Sequence, residues 1–251
     1  MKAHPALMRA QIYRFLADAY LYPTDNWLVD VPLLRPILSG LNLAEIALSL
    51  EPLMIASLPD LETLQFLHRQ TFGLSGSLCY ETEYGLPHEY RQSQELADIS
   101  GFYHAFGFKP GGQIRERPDF IATELEFMSA LCLKEALAIQ QDQPNLREIT
   151  LLAQKSFLQD HLGRWIEWFT SSLNRLAPTK FESFDNPYLH LSNFTSLFIL
   201  ADMWALGINV TSTPLSQLTP TPLAGDLSCS SCPLDPESSW IGQNFLYGGK
   251  S

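Results

Sequence analysis

Apolar residues recur at helical spacing along most of this chain, and that periodicity limits the folds open to it. In the stretch PALMRAQIYRFLADAYLYP, residues 5–23, the apolar side chains fall close to 3.6 positions apart and Pro23 ends the pattern. Strand signals are weak throughout the sequence. We therefore predict an all-α protein, a single helical-bundle-like domain of about seven or eight helices.

Further stretches along the chain show the same periodicity. They are residues 42–58, interrupted by Pro52; residues 60–73, with Asp60 as N-cap and Gly73 as stop; and residues 93–108, 115–141, 145–176 and 186–207. A proline inside a helix predicts a break or a kink. Later residues are rich in Ser, Thr and Pro and lack periodicity. We expect an all-helical domain over residues 1–207 and an irregular C-terminal extension over residues 208–251.

The charge of the chain limits the kinds of partner that it can bind, because the formal net charge is −11 over 251 residues. Phosphate binding needs clustered Lys and Arg, so we expect no nucleic acid partner. No run of about 18 apolar residues occurs, which predicts no membrane insertion. The first residues lack an apolar signal core, so we expect a cytoplasmic protein. A surplus of carboxylates suits a positively charged partner.

Motifs typical of catalysis are missing from the sequence, which has no Gly-rich phosphate loop, HExxH or nucleophile elbow. We therefore predict that the chain is not an enzyme, with no catalytic residues and no cofactor. Cys229 and Cys232 have the spacing of metal ligands, but a tetrahedral site needs two more ligands. The alternative function is a metal- or iron–sulfur-handling assembly protein that uses this C-terminal pair.

The helix predicted over residues 115–141 has an unusual beginning, Arg115-Glu116-Arg117-Pro118-Asp119-Phe120. Proline suits the first helical position, and Asp119 brings negative charge to the positive end of the helix dipole. Helix initiation therefore explains most of the pattern. A docking surface is the other interpretation, because a carboxylate beside an aromatic face holds a guanidinium by charge-assisted hydrogen bonds and stacking.

A non-periodic stretch over residues 74–92 contains a short motif of alternating aromatic and acidic residues. Tyr80 and Tyr84 bracket Glu81 and Glu83, so the loop offers a cation both rings and carboxylates. Loops of this length inside compact domains usually have a function. The other interpretation is a packed loop whose tyrosines fill the edge of the core and whose glutamates are solvated. The sequence leaves both interpretations open.

Several segments in a fixed order resemble one protein family: R..IYRFLADAYLYP, YETEYG, ELADISGFYHAFGF, ERPDFIATELEFMSAL, FLQDHLGRWIEWF and NPYLHLSNFTSLFILADMW. Over roughly residues 5–207 the chain resembles the TorD/DmsD/NarJ family, cytoplasmic chaperones that assist the maturation of molybdopterin-containing oxidoreductases. The most specific element is Glu-x-Pro-Asp at Glu116, Pro118 and Asp119. The family usually has histidine where this chain has Phe120.

The resemblance implies an all-helical chaperone for a molybdopterin oxidoreductase catalytic subunit. Such a chaperone binds the N-terminal, twin-arginine-type segment and the apo form of its client and assists cofactor insertion and assembly. The resemblance also implies a client-binding role for Glu116, Pro118 and Asp119. The full site that we expect is Glu116, Arg117, Pro118, Asp119, Phe120, Tyr80, Glu81, Glu83 and Tyr84. On this hypothesis Asp119→Ala leaves the fold intact, and a homo-oligomer is compatible with it.

Overall fold

A computed structural model describes residues 4–54, 58–73, 79–84, 91–110, 116–181 and 184–208, and eight α-helices make up most of these residues. They are Pro5–Tyr20 (α1), Leu34–Gly40 (α2), Leu61–Phe72 (α3), Arg91–Ala105 (α4), Ile121–Gln140 (α5), Pro144–Phe157 (α6), Gly163–Leu176 (α7) and Pro187–Ala205 (α8). The all-α prediction is confirmed. No helix within these ranges is long and apolar enough to cross a membrane. The extension predicted over residues 208–251 lies outside the described residues, apart from its first residue.

Shorter elements connect these helices. They are the 3-10 segments Trp27–Leu33, Ile46–Leu53 and Glu81–Glu83, the π-helical turn Leu158–Leu162, and the antiparallel strands Lys180–Phe181 (β1) and Phe184–Asp185 (β2). The prediction of an interrupted α-helix over residues 42–58 was wrong for the part that the structure describes, which forms a 3-10 segment containing Pro52. The sequence analysis also missed α2 and the small hairpin.

Aromatic side chains fill the core between the helices. α1 lies along α5 and α5 against α6, while α7 packs on α8. Tyr13, Tyr20, Phe157 and Trp165 are almost wholly buried. Burying such a side chain stabilises the fold by about 1.5–3 kcal/mol relative to leaving it exposed. Aromatic contacts therefore join neighbouring helices, as between Phe127 of α5 and Phe157 of α6, whose ring centres lie 4.8 Å apart.

The stretch predicted as one helix over residues 145–176 is divided in two. The π-helical turn separates α6 from α7, and Gly163 begins α7. A Cβ at Gly163 would clash with the Leu158 carbonyl oxygen and with the Met203 sulfur of α8. Glycine therefore permits the close approach of α7 and α8 at this point.

Three helix ends agree with the sequence, two through side-chain caps and one through a glycine. Asp60 Oδ1 accepts a hydrogen bond from the Thr63 amide at 2.8 Å, which caps α3 as predicted. Asn186 caps α8 by accepting from the Tyr188 amide at 3.0 Å. Gly207 follows α8 with φ of 72°, the left-handed conformation that glycine adopts without strain.

A buried ionic network ties α1 to α5 and α8. Arg9 donates through Nε and Nη2 to the two carboxylate oxygens of Asp202, at 2.5 and 2.8 Å. Tyr13 donates to Asp202 at 2.7 Å, and Arg9 Nη1 lies 3.4 Å from Glu135. One arginine and the neutral donor Tyr13 therefore stabilise the two carboxylates inside the core, where an unpaired charge is very unfavourable.

We predict that Arg9→Met lowers the free energy of unfolding by about 3–5 kcal/mol, because it leaves Asp202 and Glu135 buried without their cation. Urea unfolding monitored by circular dichroism measures the change. Arg14→Ala is the matched control, since the Arg14–Asp18 pair is about half exposed, and it should cost less than about 1 kcal/mol. Equal losses in the two variants would contradict the structural role of Arg9.

Candidate functional site

Two segments singled out from the sequence lie side by side at the beginning of α5. One is Cys79–Tyr84, the Tyr80 loop, and the other leads through Asp119 into the helix. Tyr80 forms an antiparallel bridge with Phe120. The Glu81 amide donates to the Asp119 carbonyl at 2.9 Å. The structure therefore brings together the residues that the sequence analysis assigned to one site.

The bridge changes where α5 begins. The helix starts at Ile121 with Phe120 at the N-cap, so the prediction that Pro118 occupies the first helical position was wrong. Asp119 likewise precedes the helix and is not part of its first turn. Asp119 lies in a turn, and the backbone of Phe120 is extended against the Tyr80 loop, so neither residue is part of the helix.

Asp119 lies in the interior, where its carboxylate is fully buried. Its Oδ2 accepts from the Thr82 amide at 3.2 Å and from the Thr82 hydroxyl at 2.8 Å. Arg117 donates to Oδ1 through Nε at 3.0 Å and to Oδ2 through Nη2 at 2.8 Å. The expectation that Asp119 is a surface carboxylate was therefore wrong. In this structure Asp119 contacts the chain's own arginine and not solvent.

Arg117 supplies the guanidinium that the sequence analysis expected from a partner. Its guanidinium carbon lies 4.4 Å from the centre of the Tyr80 ring, within cation–π range. Its Nη2 also donates to the Thr82 hydroxyl at 2.6 Å. The Arg117 side chain is 41% exposed, so it closes over Asp119 and separates that carboxylate from water.

Glu81 is a second buried carboxylate paired with the chain's own cations. Arg164 Nη2 donates to Glu81 at 2.8 Å, and His161 Nδ1 lies 3.1 Å from the other oxygen. Glu83 and Tyr84 are also buried. Neither sequence interpretation of this loop was right in full: Tyr84 fills the core as the packed-loop interpretation expected, but the glutamates are not solvated.

Glu124 lies beneath this cluster on α5 and was not proposed as a site residue. It is fully buried, and Trp165 Nε1 donates to its Oε2 at 3.1 Å. Burial, followed by the nearby charge of Glu81, raises the pKa of Glu124 well above its ordinary value. These two causes favour the protonated form of Glu124, which limits the repulsion between the two neighbouring acidic groups.

His161 is the histidine that contributes to this cluster. Burial alone would lower its pKa, but the hydrogen bond to Glu81 and the charges of Glu81 and Asp98 outweigh burial and raise it. The sequence analysis did not single out this histidine. The position of His161, three residues after Leu158 and four before Trp165, places it on the buried face of the helical pattern. That spacing was the available signal.

Other members of the predicted site reach the surface. Glu116 accepts a hydrogen bond from the Tyr80 hydroxyl at 3.2 Å. Burial and the charge of Glu116 raise the pKa of Tyr80 to about 12, so the phenol remains a donor. A pocket of about 650 Å³ adjoins Glu116 and Pro118 and is also lined by Tyr103, His104 and Lys109 among others. Phe120 is half-buried and lies 5.5 Å from the Tyr80 ring centre.

A separate apolar groove of about 450 Å³ runs between α1, the segment Trp27–Leu33, α2 and α5. Its lining includes Leu7, Phe15, Trp27, Leu33, Ile37 and Leu133. Leu33 is 61% exposed and Leu133 is 45% exposed, so the groove presents apolar side chains to solvent. Asp18 and Asp30 also line it and are exposed. The groove therefore combines an apolar floor with negative charge.

The cysteine hypothesis falls mostly outside the described residues, since Cys229 and Cys232 are not among them. Within the described ranges, no group of three or more His, Cys, Asp or Glu side chains is arranged to hold a metal ion. Cys79 and Cys132 are buried free thiols. Burial raises the pKa of Cys132 to about 12, which leaves it protonated and unreactive at neutral pH.

Comparison with known proteins finds sequence similarity to a reductase subunit family and to proteins named for assembly. A family model described as nitrate reductase delta subunit matches residues 45–171, which include the Tyr80 loop and α3 to α6. The perchlorate reductase assembly chaperone protein of Dechloromonas aromatica is 33% identical over 87 residues, 34% of this chain and 38% of the relative. The selenate reductase assembly chaperone protein of Thauera selenatis is 35% identical over 78 residues, 31% of this chain and 39% of the relative.

A longer match covers more of the chain at lower identity. The chlorate reductase assembly chaperone protein of Ideonella dechloratans is 27% identical over 176 residues, 69% of this chain and 77% of the relative. By contrast, the matches to the first two relatives span about two fifths of their length. All three names describe proteins that assist assembly and not catalysts. They agree with the prediction that this chain is not an enzyme.

We predict that Asp119→Ala lowers the free energy of unfolding by about 2 kcal/mol or more, because Thr82 loses a buried acceptor and Arg117 loses its partner. This replaces the expectation that the variant leaves the fold intact. Thermal unfolding of the purified variant measures the change. Glu116→Ala is the control and should cost less than about 1 kcal/mol, since this residue reaches the surface. An Asp119→Ala protein as stable as the wild type would show that the buried contacts do not stabilise the site.

Glu83 makes stability depend on pH. Burial raises its pKa from an ordinary 4.5 to about 7, with Asp119 adding to this and Arg117 opposing it. The folded protein therefore holds a proton that the unfolded chain has lost, and the free energy of unfolding falls as pH rises from about 4.5 to 7. Glu83→Gln removes this loss. The difference in free energy of unfolding between Glu83→Gln and the wild type should therefore favour the variant by about 1–3 kcal/mol more at pH 8 than at pH 4.5. Urea midpoints at both pH values test this, and a difference that does not change with pH would contradict it.

Proposed function

The chain belongs to the nitrate reductase delta subunit family, whose model matches about half of its residues, and on that premise we propose that it is a chaperone for a molybdopterin-containing oxidoreductase. The family membership confirms the resemblance found from the sequence. In this proposal the protein binds the N-terminal, twin-arginine-type segment and the apo form of the catalytic subunit in the cytoplasm. It then assists cofactor insertion and assembly. The relatives named as reductase assembly chaperones are the observation that carries the proposal.

The apolar groove beside α1 and α5 has the chemistry that such a client segment needs. A twin-arginine-type segment joins positive charge to an apolar stretch. The exposed apolar side chains of Leu33 and Leu133 offer a surface for the apolar part. The carboxylate of Asp30 offers negative charge for the cationic part, while Asp18 is paired with Arg14 at the same groove. We propose that this groove is the binding site for the apolar stretch.

The junction between the Tyr80 loop and α5 is the second part of the proposed client site. Glu116, Pro118 and the edges of Tyr80 and Phe120 reach the surface there. We propose that these groups contact the client directly. The buried members of the expected site (Asp119, Glu81, Glu83 and Tyr84) have a different part in this proposal. They hold the contacting groups in position, with Arg117 between the two sets.

We predict that Leu33→Lys or Leu133→Lys weakens client binding about tenfold, because each change removes an apolar contact and adds a charge that repels a cationic segment. The stability of either variant should stay near that of the wild type, since both positions are exposed. Isothermal titration calorimetry measures the affinity. The titrant is a peptide of about the first 30 residues of a molybdopterin oxidoreductase catalytic subunit that co-purifies from the native host, long enough to hold a helical apolar stretch.

A matched control is Leu48→Lys, since Leu48 is 66% exposed and lies outside the groove. It should leave the affinity unchanged. The affinity of the wild type should also fall as salt is raised, because screening weakens the carboxylate contribution but not the apolar one. A catalytic subunit whose binding is the same with and without its N-terminal segment would overturn the proposed mode of recognition.

A further inference from the structure

We propose that Arg117 fills a guanidinium-binding site that an arginine side chain of a partner peptide occupies in its place. The inference deepens the proposed function and rests on it for the identity of the peptide. The site itself consists of Asp119, Thr82 and Tyr80. In the structure the chain's own arginine is the ligand.

The three groups together recognise the features that distinguish a guanidinium. The two oxygens of Asp119 accept from Nε and Nη2 of Arg117, a fork that matches the planar donor pattern. The Thr82 hydroxyl accepts a further hydrogen bond from Nη2. The Tyr80 ring lies against the guanidinium plane at 4.4 Å. A lysine ammonium, a compact charge without a fork, satisfies fewer of these contacts.

Arg117 is placed so that it can leave without unfolding the protein. Its side chain is 41% exposed, whereas the Asp119 beneath it is fully buried. It precedes α5, which begins at Ile121, so no helical hydrogen bond depends on it. Arg9 provides the contrast, because its side chain is only 10% exposed and sits among α1, α5 and α8. The Arg117 pair is thus accessible to a competitor and the Arg9 pair is not.

Competition sets a condition on the incoming ligand. A tethered group binds as if present at a concentration on the order of millimolar or above, so a free arginine does not displace Arg117 from the wild type. A peptide gains additional free energy from its apolar part. Ser129 lines the groove, and it lies eight residues beyond Ile121 on the same helix, about 12 Å along the axis. Measured along the axis of α5, this separation is within the span of a short extended peptide.

Arg117→Ala empties the site and provides the test. We expect a lower thermal midpoint that added guanidinium chloride, at about 20 mM, partly restores by mass action, far below the concentrations that denature proteins. Sodium chloride at the same concentration should not restore it. Arg14→Ala is the matched control: Arg14 is 54% exposed and pairs with Asp18 and Glu126, but over no buried carboxylate and no ring. Guanidinium should not raise its midpoint.

Direct binding measurements provide a second test of the guanidinium site. N-acetyl-arginine amide should bind Arg117→Ala at least about tenfold more tightly than the wild type, and N-acetyl-lysine amide should not. Changing Asp119 to Asn in the Arg117→Ala background should abolish both this binding and the rescue. If the alanine variant does not fold, Arg117→Lys replaces it, since it keeps the charge and removes the fork. No guanidinium effect beyond that seen with Arg14→Ala would overturn the inference.

The client peptide separates this inference from the proposed function. A peptide that binds the wild type and binds Arg117→Ala more tightly supports both. If the peptide binds the wild type and Arg117→Ala with the same affinity, the replacement of Arg117 by a peptide arginine is overturned and the proposed function stands. If it binds neither protein while guanidinium still restores Arg117→Ala, the guanidinium site stands and the proposed client is wrong.

Discussion

Arginine pairing of two buried carboxylates is the interaction on which the candidate site depends. Asp119 forms an ion pair with Arg117, and Glu81 is paired with Arg164 and His161. A carboxylate removed from water is very unfavourable unless a cation and hydrogen bonds replace its hydration. Both pairs meet that condition with bonds of 2.8 Å from the arginine. They fasten the Tyr80 loop to the beginning of α5 and to the helices behind it.

The surface above those pairs follows from them. The bridge between Tyr80 and Phe120 forms where the buried carboxylates hold the two segments together. Glu116 then meets the Tyr80 hydroxyl at the surface. Below, Glu124 accepts a hydrogen bond from Trp165 inside the core, and burial raises its pKa well above the ordinary value. Interior and exterior acids therefore have separate tasks: the first fix the backbone, and the second are available to a partner.

Local chemistry explains which features could be predicted from the sequence. Helical spacing identified α1, and the side chains of Asp60 and Asn186 identified the beginnings of α3 and α8. The burial of Asp119 depends on Thr82, 37 positions away, and no periodicity reveals such a pairing. The sequence did identify the chemistry of a carboxylate, a ring and a guanidinium. It did not reveal that Arg117 itself supplies the guanidinium.

The most direct test of this account is a crystal structure of the protein with the N-terminal peptide of its client catalytic subunit. The account predicts a peptide guanidinium against Asp119 and the Tyr80 ring, the Arg117 side chain turned to solvent, and the apolar part of the peptide in the groove lined by Leu33 and Leu133. A complex in which Arg117 keeps its bonds to Asp119 and the peptide lies away from both surfaces would contradict it.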